Sequence, residues 1–371
     1  MELEPFKLER YFAKYEFNAR YLLSSSDFDG FSLDYVLAAA EHGELDLWNN
    51  LSLGYTDSQG HPLLREAISR HYNTINRDEV FVLSPGEANY ILMQICLKPG
   101  DDVVCMRPAY QSLYQVAVSI DCKMHWWEPD DNGRFNPDDL KQLVTENTRM
   151  IIINFPHNPT GFYPSKDELQ QIIAIASKYN TLLFSDEMYH KLVHNVSYLN
   201  DSLCDLYDNT ISLWGTAKSF GLGGVRIGWI ATHNHLLLKK MQQWKDYLTI
   251  CSSAPSEIIT MIALNNSEQF IEVNLKKIRH NKMIFKDFAS KHGDMFPHYR
   301  ETEAGSTAFV KVNLKVPTLQ YTEEVVKETG VMLVPAEIFE YGSSHLRIGF
   351  GRANFAEALA VWENYINLVV R

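Results

Sequence analysis

Cysteine is scarce in this chain of 371 residues. Five occur, Cys96, Cys105, Cys122, Cys204 and Cys251, and no two are spaced as Cys-x-x-Cys. An odd, scattered set argues against a secreted disulfide framework and against a cysteine zinc site, and suits a reducing cytosol. Long apolar runs are missing too: the run around Met150 to Phe155 has strand length, far below the roughly 18 residues that span a bilayer. Basic residues are outnumbered, 34 Lys and Arg against 46 Asp and Glu, for a formal net charge of −12. That balance speaks against a nucleic-acid binder, which needs clustered cations, and against docking on an anionic membrane. Met1-Glu2-Leu3-Glu4 has neither the basic start nor the apolar core of a signal peptide. Repeats, low-complexity tracts and Gly/Ser/Pro linkers are also lacking, so any domains are packed rather than tethered. What is present is an ordinary globular composition, 46% hydrophobic and 22% charged, in a chain long enough for about two or three domains.

From Val80 onward short apolar runs alternate with helical patterns. Strands are expected at 80–83, 102–106, 122–127, 149–154 and 181–185, with a further apolar run at 211–214. Helices are expected at 88–97, 111–119, 138–145 and 165–179. The last has Ser165 as N-cap and Glu168 three residues on, the spacing of a capping box. This alternation predicts an α/β protein whose mixed, mostly parallel sheet is sandwiched by helices. The last third reads differently. Helical patterns over 233–248, 255–267 and 269–291 precede strand-like segments at 308–313, 331–334 and 345–349, with helices around 322–329 and 354–369. A large domain over 41–270 and a smaller α+β domain built from 1–40 and 271–371 are expected.

Ligands of open α/β sheets bind at the carboxyl ends of strands. After 80–83 comes Ser84-Pro85-Gly86-Glu87-Ala88-Asn89, opening a helix whose N–H groups at 86–88 suit an anion. A tight turn is the plainer account of that segment taken alone. After 149–154, two prolines and a glycine fix an irregular loop that presents Asn158. Asp186-Glu187-Met188-Tyr189 follows 181–185. Gly215-Thr216-Ala217-Lys218 follows 211–214, with Arg226 eight residues beyond the lysine. Polar side chains at successive strand ends are hard to ascribe to packing alone.

HNPTG at 157–161, DEMY at 186–189, AKSFGLGGVRIGW at 217–229 and LRIGFG at 346–351 resemble, in order and spacing, the class I/II aminotransferases. These are pyridoxal-phosphate (PLP) enzymes of fold type I. GYTDSQGHPLLREAI, with Tyr55 and Gly60, matches the family's N-terminal signature. The resemblance implies PLP as cofactor and no metal. It implies an L-amino acid and a 2-oxo acid as substrates, a cytoplasmic location, and a homodimer with shared active sites.

It also implies roles. Lys218 is similar to the family's Schiff-base lysine, whose neutral amine is the nucleophile and later moves the substrate proton. Asp186 resembles the carboxylate that keeps the ring nitrogen protonated, and a protonated ring is the better electron sink. Asn158 and Tyr189 resemble the donors to the ring's phenolate oxygen, and Asn158 also borders the substrate. Arg226 resembles the phosphate ligand, assisted by the N–H groups of Gly86, Glu87 and Ala88. Tyr110 resembles the aromatic stacked on the ring, and Tyr55 the residue that reaches the phosphate across a dimer interface. Arg347 resembles the arginine that grips the substrate α-carboxylate, with Arg352 as nearby rival. Gly30 matches the loop that covers the substrate. Two departures stand out: Gly215 replaces a common serine, which leaves either Thr216 as its substitute at the phosphate or a phosphate held by fewer contacts, and Pro335-Ala336 replaces a common Pro-Gly. A β-eliminating lyase is an alternative outcome of the same chemistry. PFKLERYFAKY, LLSSSDFDG and LRIGFGRANFAEAL resemble the branch containing capreomycidine synthase. That points to a guanidino substrate read by Glu16, Asp27 or Asp29.

Overall fold

The computed structural model describes residues 2–369. β1 (Tyr21–Leu22) lies in the N-terminal segment. β2 (Val80–Leu83), β3 (Asp102–Met106), β4 (Lys123–Trp127), β5 (Thr148–Asn154), β6 (Leu182–Asp186), β7 (Thr210–Gly215) and β8 (Gly228–Ala231) form one seven-stranded sheet. Its order is β2-β8-β7-β6-β5-β3-β4. The five strands from β7 to β4 are parallel, while β8 runs antiparallel to both β2 and β7. Met150 to Ile153 of β5 are wholly buried, as a strand covered on both faces requires. The connecting helices include Pro85–Cys96 and Lys166–Lys178. The latter carries the expected box: Glu168 N donates to Ser165 Oγ at 3.2 Å and Ser165 N to Glu168 Oε2 at 2.7 Å.

β9 (Thr307–Lys311), β11 (Val334–Pro335) and β12 (His345–Gly349) make a second, antiparallel sheet in the order β11-β12-β9. β10 (Val331–Met332) pairs instead with β1, so the segment expected as one strand at 331–334 serves two sheets. β8 was not legible, because only four residues follow a glycine-rich loop and leave little pattern to read. The helix expected over 111–119 is a 3₁₀ turn, Gln111–Leu113, followed by the short helix Gln115–Ser119. Among the described residues, no helix is long and apolar enough to cross a membrane.

The largest buried apolar cluster contains Val82, Ile152 and Trp214 from the middle of the chain, together with Leu23, Phe285 and Trp362 from its ends. Residues 23–27 form a strap laid along the end of β12. Gly349 N donates to Leu23 O at 2.6 Å. The approach needs glycine: a Cβ on Gly349 would lie 1.9 Å from Ser25 O, and one on Gly351 2.2 Å from Asp27 O.

Candidate active site

β5, β6 and β7 are parallel neighbours, so their carboxyl ends share one edge of the large sheet. In that register Asn154 pairs with Asp186. Asn154 Nδ2 donates to Asp186 O at 2.8 Å, and its Oδ1 accepts from Asn158 N at 2.8 Å. One amide thus fixes both of the next strand-end residues. Sequence reasoning missed Asn154, which a strand's last residue does not by itself advertise.

Asp186 is buried, and its Oδ1 accepts from Met188 N at 3.0 Å. Burial pushes its carboxyl up to about 7, against the pull of the Met188 N–H and of Lys218, with Glu187 adding to the rise. Glu187 is itself held by the hydroxyls of Ser185, Ser202 and Ser212 and by Leu203 N, all at 2.7–3.0 Å. No cation touches Asp186 among the described residues. A desolvated carboxyl without a counter-charge fits the protonated ring nitrogen of PLP.

Lys218 follows β7 and is half-buried. Its Nζ donates to Ser26 Oγ at 3.0 Å. Arg347, on β12, is 0% exposed. Its Nε donates to Ser24 O at 2.9 Å and its Nη1 to Asn158 Oδ1 at 3.3 Å, while Nη2 has no partner. Burial lowers its pKa, offset in part by Tyr189, Asp27, Tyr110 and Glu9. Asn158 spends its carbonyl on Arg347 and keeps its amide Nδ2 open, as a donor to a ring oxygen must. Tyr189 is buried, and its hydroxyl has no hydrogen-bond partner among the described residues. Tyr110 packs against Phe6 and donates to Glu9 Oε1 at 2.8 Å.

The phosphate end departs from expectation. Pro85 occupies the first helical position, so Ala88 is the first residue able to close a turn, and its N–H is spent on Ser84 O at 2.9 Å. Of the three expected donors, Gly86 and Glu87 keep N–H groups with no backbone partner among the described residues. Thr216 does not replace the missing serine either: its N–H and its hydroxyl both donate to Ile227 O at 3.0 Å. A Cβ on Gly215 would sit 2.9 Å from both Gly228 Cα and Ile227 O. Close packing of β7 on β8 therefore leaves no room for the usual serine. Arg226 is exposed and left-handed, with φ 59°, and its Nη1 donates to Gly223 O at 3.1 Å. Its remaining donors, with two helical N–H groups, still suit a dianion. Gly30 lies beside the lysine loop, 3.8 Å from Gly221 O for a Cβ placed on it. Tyr55 is 89% exposed and has no hydrogen bond to a site residue among the described residues. Arg352 is committed: Nη2 pairs with Asp27 at 3.0 Å and Nη1 donates to Phe28 O at 3.1 Å.

The raised Asp186 carboxyl has a measurable consequence. A carboxyl that holds its proton more tightly when folded contributes stability that is complete below about 3.8 and drains away as pH rises through about 7. The cofactor-free Asp186→Asn variant has no such drain. Urea unfolding is expected to find it more stable than the parent near pH 8, by about 1–3 kcal/mol, with the gap closing towards pH 4. The same variant should bind PLP more weakly. A variant less stable than the parent at pH 8 would contradict the assignment.

The chain matches the family model described as aminotransferase class I and II over residues 21–360. It is 27% identical over 266 residues to capreomycidine synthase of Streptomyces vinaceus, covering 71% of this chain and 67% of that one. It is 27% identical over 327 residues to an aspartate aminotransferase of Sulfolobus acidocaldarius, covering 80% and 78%. Among solved structures, a PLP-dependent aminotransferase from Streptococcus suis superposes with a TM-score of 0.91 at 24% identity over 99% of each chain. The PLP-dependent cyclase OrfR gives 0.91 at 24% identity, over 100% of this chain and 98% of that one. Family model, sheet topology and donor set agree, and the chain belongs to the class I and II aminotransferases, whose cofactor is pyridoxal phosphate.

Proposed function

We propose that this enzyme moves the amino group of an L-amino acid to a 2-oxo acid. The observation that carries the reading is Arg347. It is a fully buried guanidinium with no ion pair among the described residues and an unbonded Nη2, anchored two residues along the strap from the hydroxyl that meets Lys218. A buried cation left unpaired is costly, and the α-carboxylate of an amino acid supplies the missing charge in a bidentate fork. PLP, when bound, supplies the sink for the electron pair left on the α-carbon. Lys218 Nζ takes the α-proton and returns it elsewhere. With the cofactor bound, Asp186 would hold a negative charge at the ring nitrogen, Asn158 and Tyr189 would donate to the ring oxygen, and Arg226 with the N–H groups of Gly86 and Glu87 would hold the phosphate. Tyr110 would stack on the ring.

The same reading divides the chain into a large domain, 41–270, and a small one from 1–40 and 271–371. It also makes the protein a homodimer. In support, Leu53, Tyr55, Tyr247, Leu248 and Ile250 are large exposed apolar side chains. Their two segments are stitched together by Thr56 Oγ1 to Ser252 O at 3.1 Å and Gln59 Nε2 to Gln242 Oε1 at 3.1 Å.

A second reading, a cyclase or oxidase acting on a guanidino amino acid, has one observation in its favour. Asp27 is paired with Arg352, and Asp29 with Lys277 at 2.6 Å. Glu16 has neither an ion pair nor a side-chain hydrogen bond among the described residues. It is half-buried, and its carboxyl is raised by burial and by Asp27, while the charges of Arg352 and Lys218 act the other way. A spectroscopic screen of amino acids against the PLP-loaded enzyme separates the readings. Loss of the visible band with a matching yield of 2-oxo acid supports transamination. Pyruvate and ammonia from a cysteine conjugate indicate β-elimination. Oxygen uptake or a cyclised product with arginine indicates the guanidino reading. In that last case Glu16→Gln should raise KM for arginine about tenfold, the loss of one charge-assisted hydrogen bond, and leave neutral amino acids unaffected. An unchanged KM for arginine would remove Glu16 from the recognition.

A further inference from the structure

Ser26 is assigned no role by the family resemblance, yet its hydroxyl meets the atom on which the chemistry turns. Lys218 Nζ donates to Ser26 Oγ at 3.0 Å, and Ser26 is the only hydrogen-bond partner of that amine among the described residues. Ser26 is buried. The proton of its own hydroxyl has no acceptor among the described residues.

The position of the hydroxyl is built, not incidental. Ser306 Oγ donates to Ser26 O at 2.6 Å, and Arg347 Nε to Ser24 O at 2.9 Å. Gly349 and Gly351 let the strap lie against β12 where any side chain would collide with it. One short stretch of backbone therefore sets the Lys218 amine and the Arg347 guanidinium relative to each other. Lysine is a point charge on a flexible four-carbon stem, and a base must sit within hydrogen-bond reach of the proton it moves. An amine that is free and unheld samples many rotamers, most of them unproductive. A small misplacement of a reacting group can cost about a hundredfold in rate.

We infer that Ser26 is a further catalytic residue, whose hydroxyl receives and holds the Lys218 amine once an incoming amino group has displaced it. This rests on the aminotransferase reading of Lys218. The contact seen here is the one a free lysine amine makes. By stabilising the displaced amine, it favours displacement and keeps the base on the substrate side of the site for proton transfer.

The test uses the PLP-loaded enzyme and aminooxyacetate. This probe carries a carboxylate for Arg347 and an oxyamine that displaces Lys218 whatever the natural substrate is. The rate of displacement is followed from the visible spectrum in the parent and in Ser26→Ala, Ser26→Cys and Ser26→Thr. Ala and Cys are expected to slow displacement about tenfold, the loss of one hydrogen bond, with Thr within about twofold of the parent. The position of the visible band and the affinity for PLP are expected to stay unchanged in all four. Ser306→Ala, which loosens the strap but keeps the hydroxyl, is the control for a merely structural effect. Equal rates in the parent, Ala and Cys would overturn the role of Ser26. So would a loss in Ser306→Ala as large as in Ser26→Ala, because the strap alone would then explain the effect. Should Ser26→Ala fail to fold, the Cys variant, close in size and a poor acceptor, carries the same comparison against Thr. A parent that shows no visible band with PLP would remove the cofactor reading, and this inference with it. An intact band with equal rates removes Ser26 alone.

Discussion

Lys218→Ala is expected to bind PLP without developing the visible absorption that a lysine-linked cofactor gives, and to lose activity by on the order of 10⁴-fold or more. Both effects trace to one atom. In the proposed reading the amine that would attach the cofactor is also the base that moves the α-proton, and its hydrogen-bond partner among the described residues is the Ser26 hydroxyl. Lys245 and Lys282 are buried and Lys191 partly so, but they are occupied elsewhere: Lys245 donates to Ser58 O and Val82 O at 2.7 Å. Lys191 lies 2.8 Å from His71 Nδ1, and Lys282 donates to Thr302 O at 2.6 Å. A visible band that survives the substitution would place the linkage on another residue and undo the assignment.

Arg347→Ala is expected to raise KM for amino acids about 100- to 1,000-fold while leaving the PLP spectrum in place. The estimate follows from truncating one partner of a buried, charge-assisted pair, which costs about 3–4 kcal/mol at about 1.4 kcal/mol per tenfold. Arg347→Lys should recover little, since a single ammonium cannot reproduce the two-pronged fork. Spectral titration with an amino acid measures both variants. An unchanged KM would move the carboxylate elsewhere, and the ion pair of Arg352 with Asp27 makes that residue a poor substitute.

Much of this was legible because buried parallel strands leave a plain record. Thr148–Asn154, Leu182–Asp186 and Thr210–Gly215 are largely apolar runs followed by turn residues, and their carboxyl ends, where the candidates Asn158, Asp186 and Lys218 were sought, share one edge of the sheet. What escaped depends on contacts between residues far apart in the chain. Whether Ala88 offers an N–H is decided by where the helix starts, and Pro85 sets that start one residue too early for it. Whether Thr216 can serve a phosphate is decided by Ile227 across the hairpin of β7 and β8, and β8 itself was not foreseen. Ser26 stood in plain view within Leu22-Leu23-Ser24-Ser25-Ser26-Asp27. No spacing rule links it to a lysine 192 positions on. Tyr55 is the opposite case: its motif was readable, but in one copy of the chain its side chain is 89% exposed.

The strap that carries Ser24 and Ser26 has a consequence for how the enzyme comes into being. Arg347 and Ser24 are joined across 323 positions of sequence. At the usual pace of translation, about 5–20 residues per second, the strap leaves the ribosome roughly 16–65 seconds before its partner residues on β12 exist. The large sheet, whose strands lie nearer one another in sequence, can form in that interval. Closing so long a loop adds little entropy cost beyond that of a shorter one, since the penalty grows only with the logarithm of length. Its effect is on order in time: the scaffold and the lysine come first, and the contact of Arg347 with the strap is assembled last.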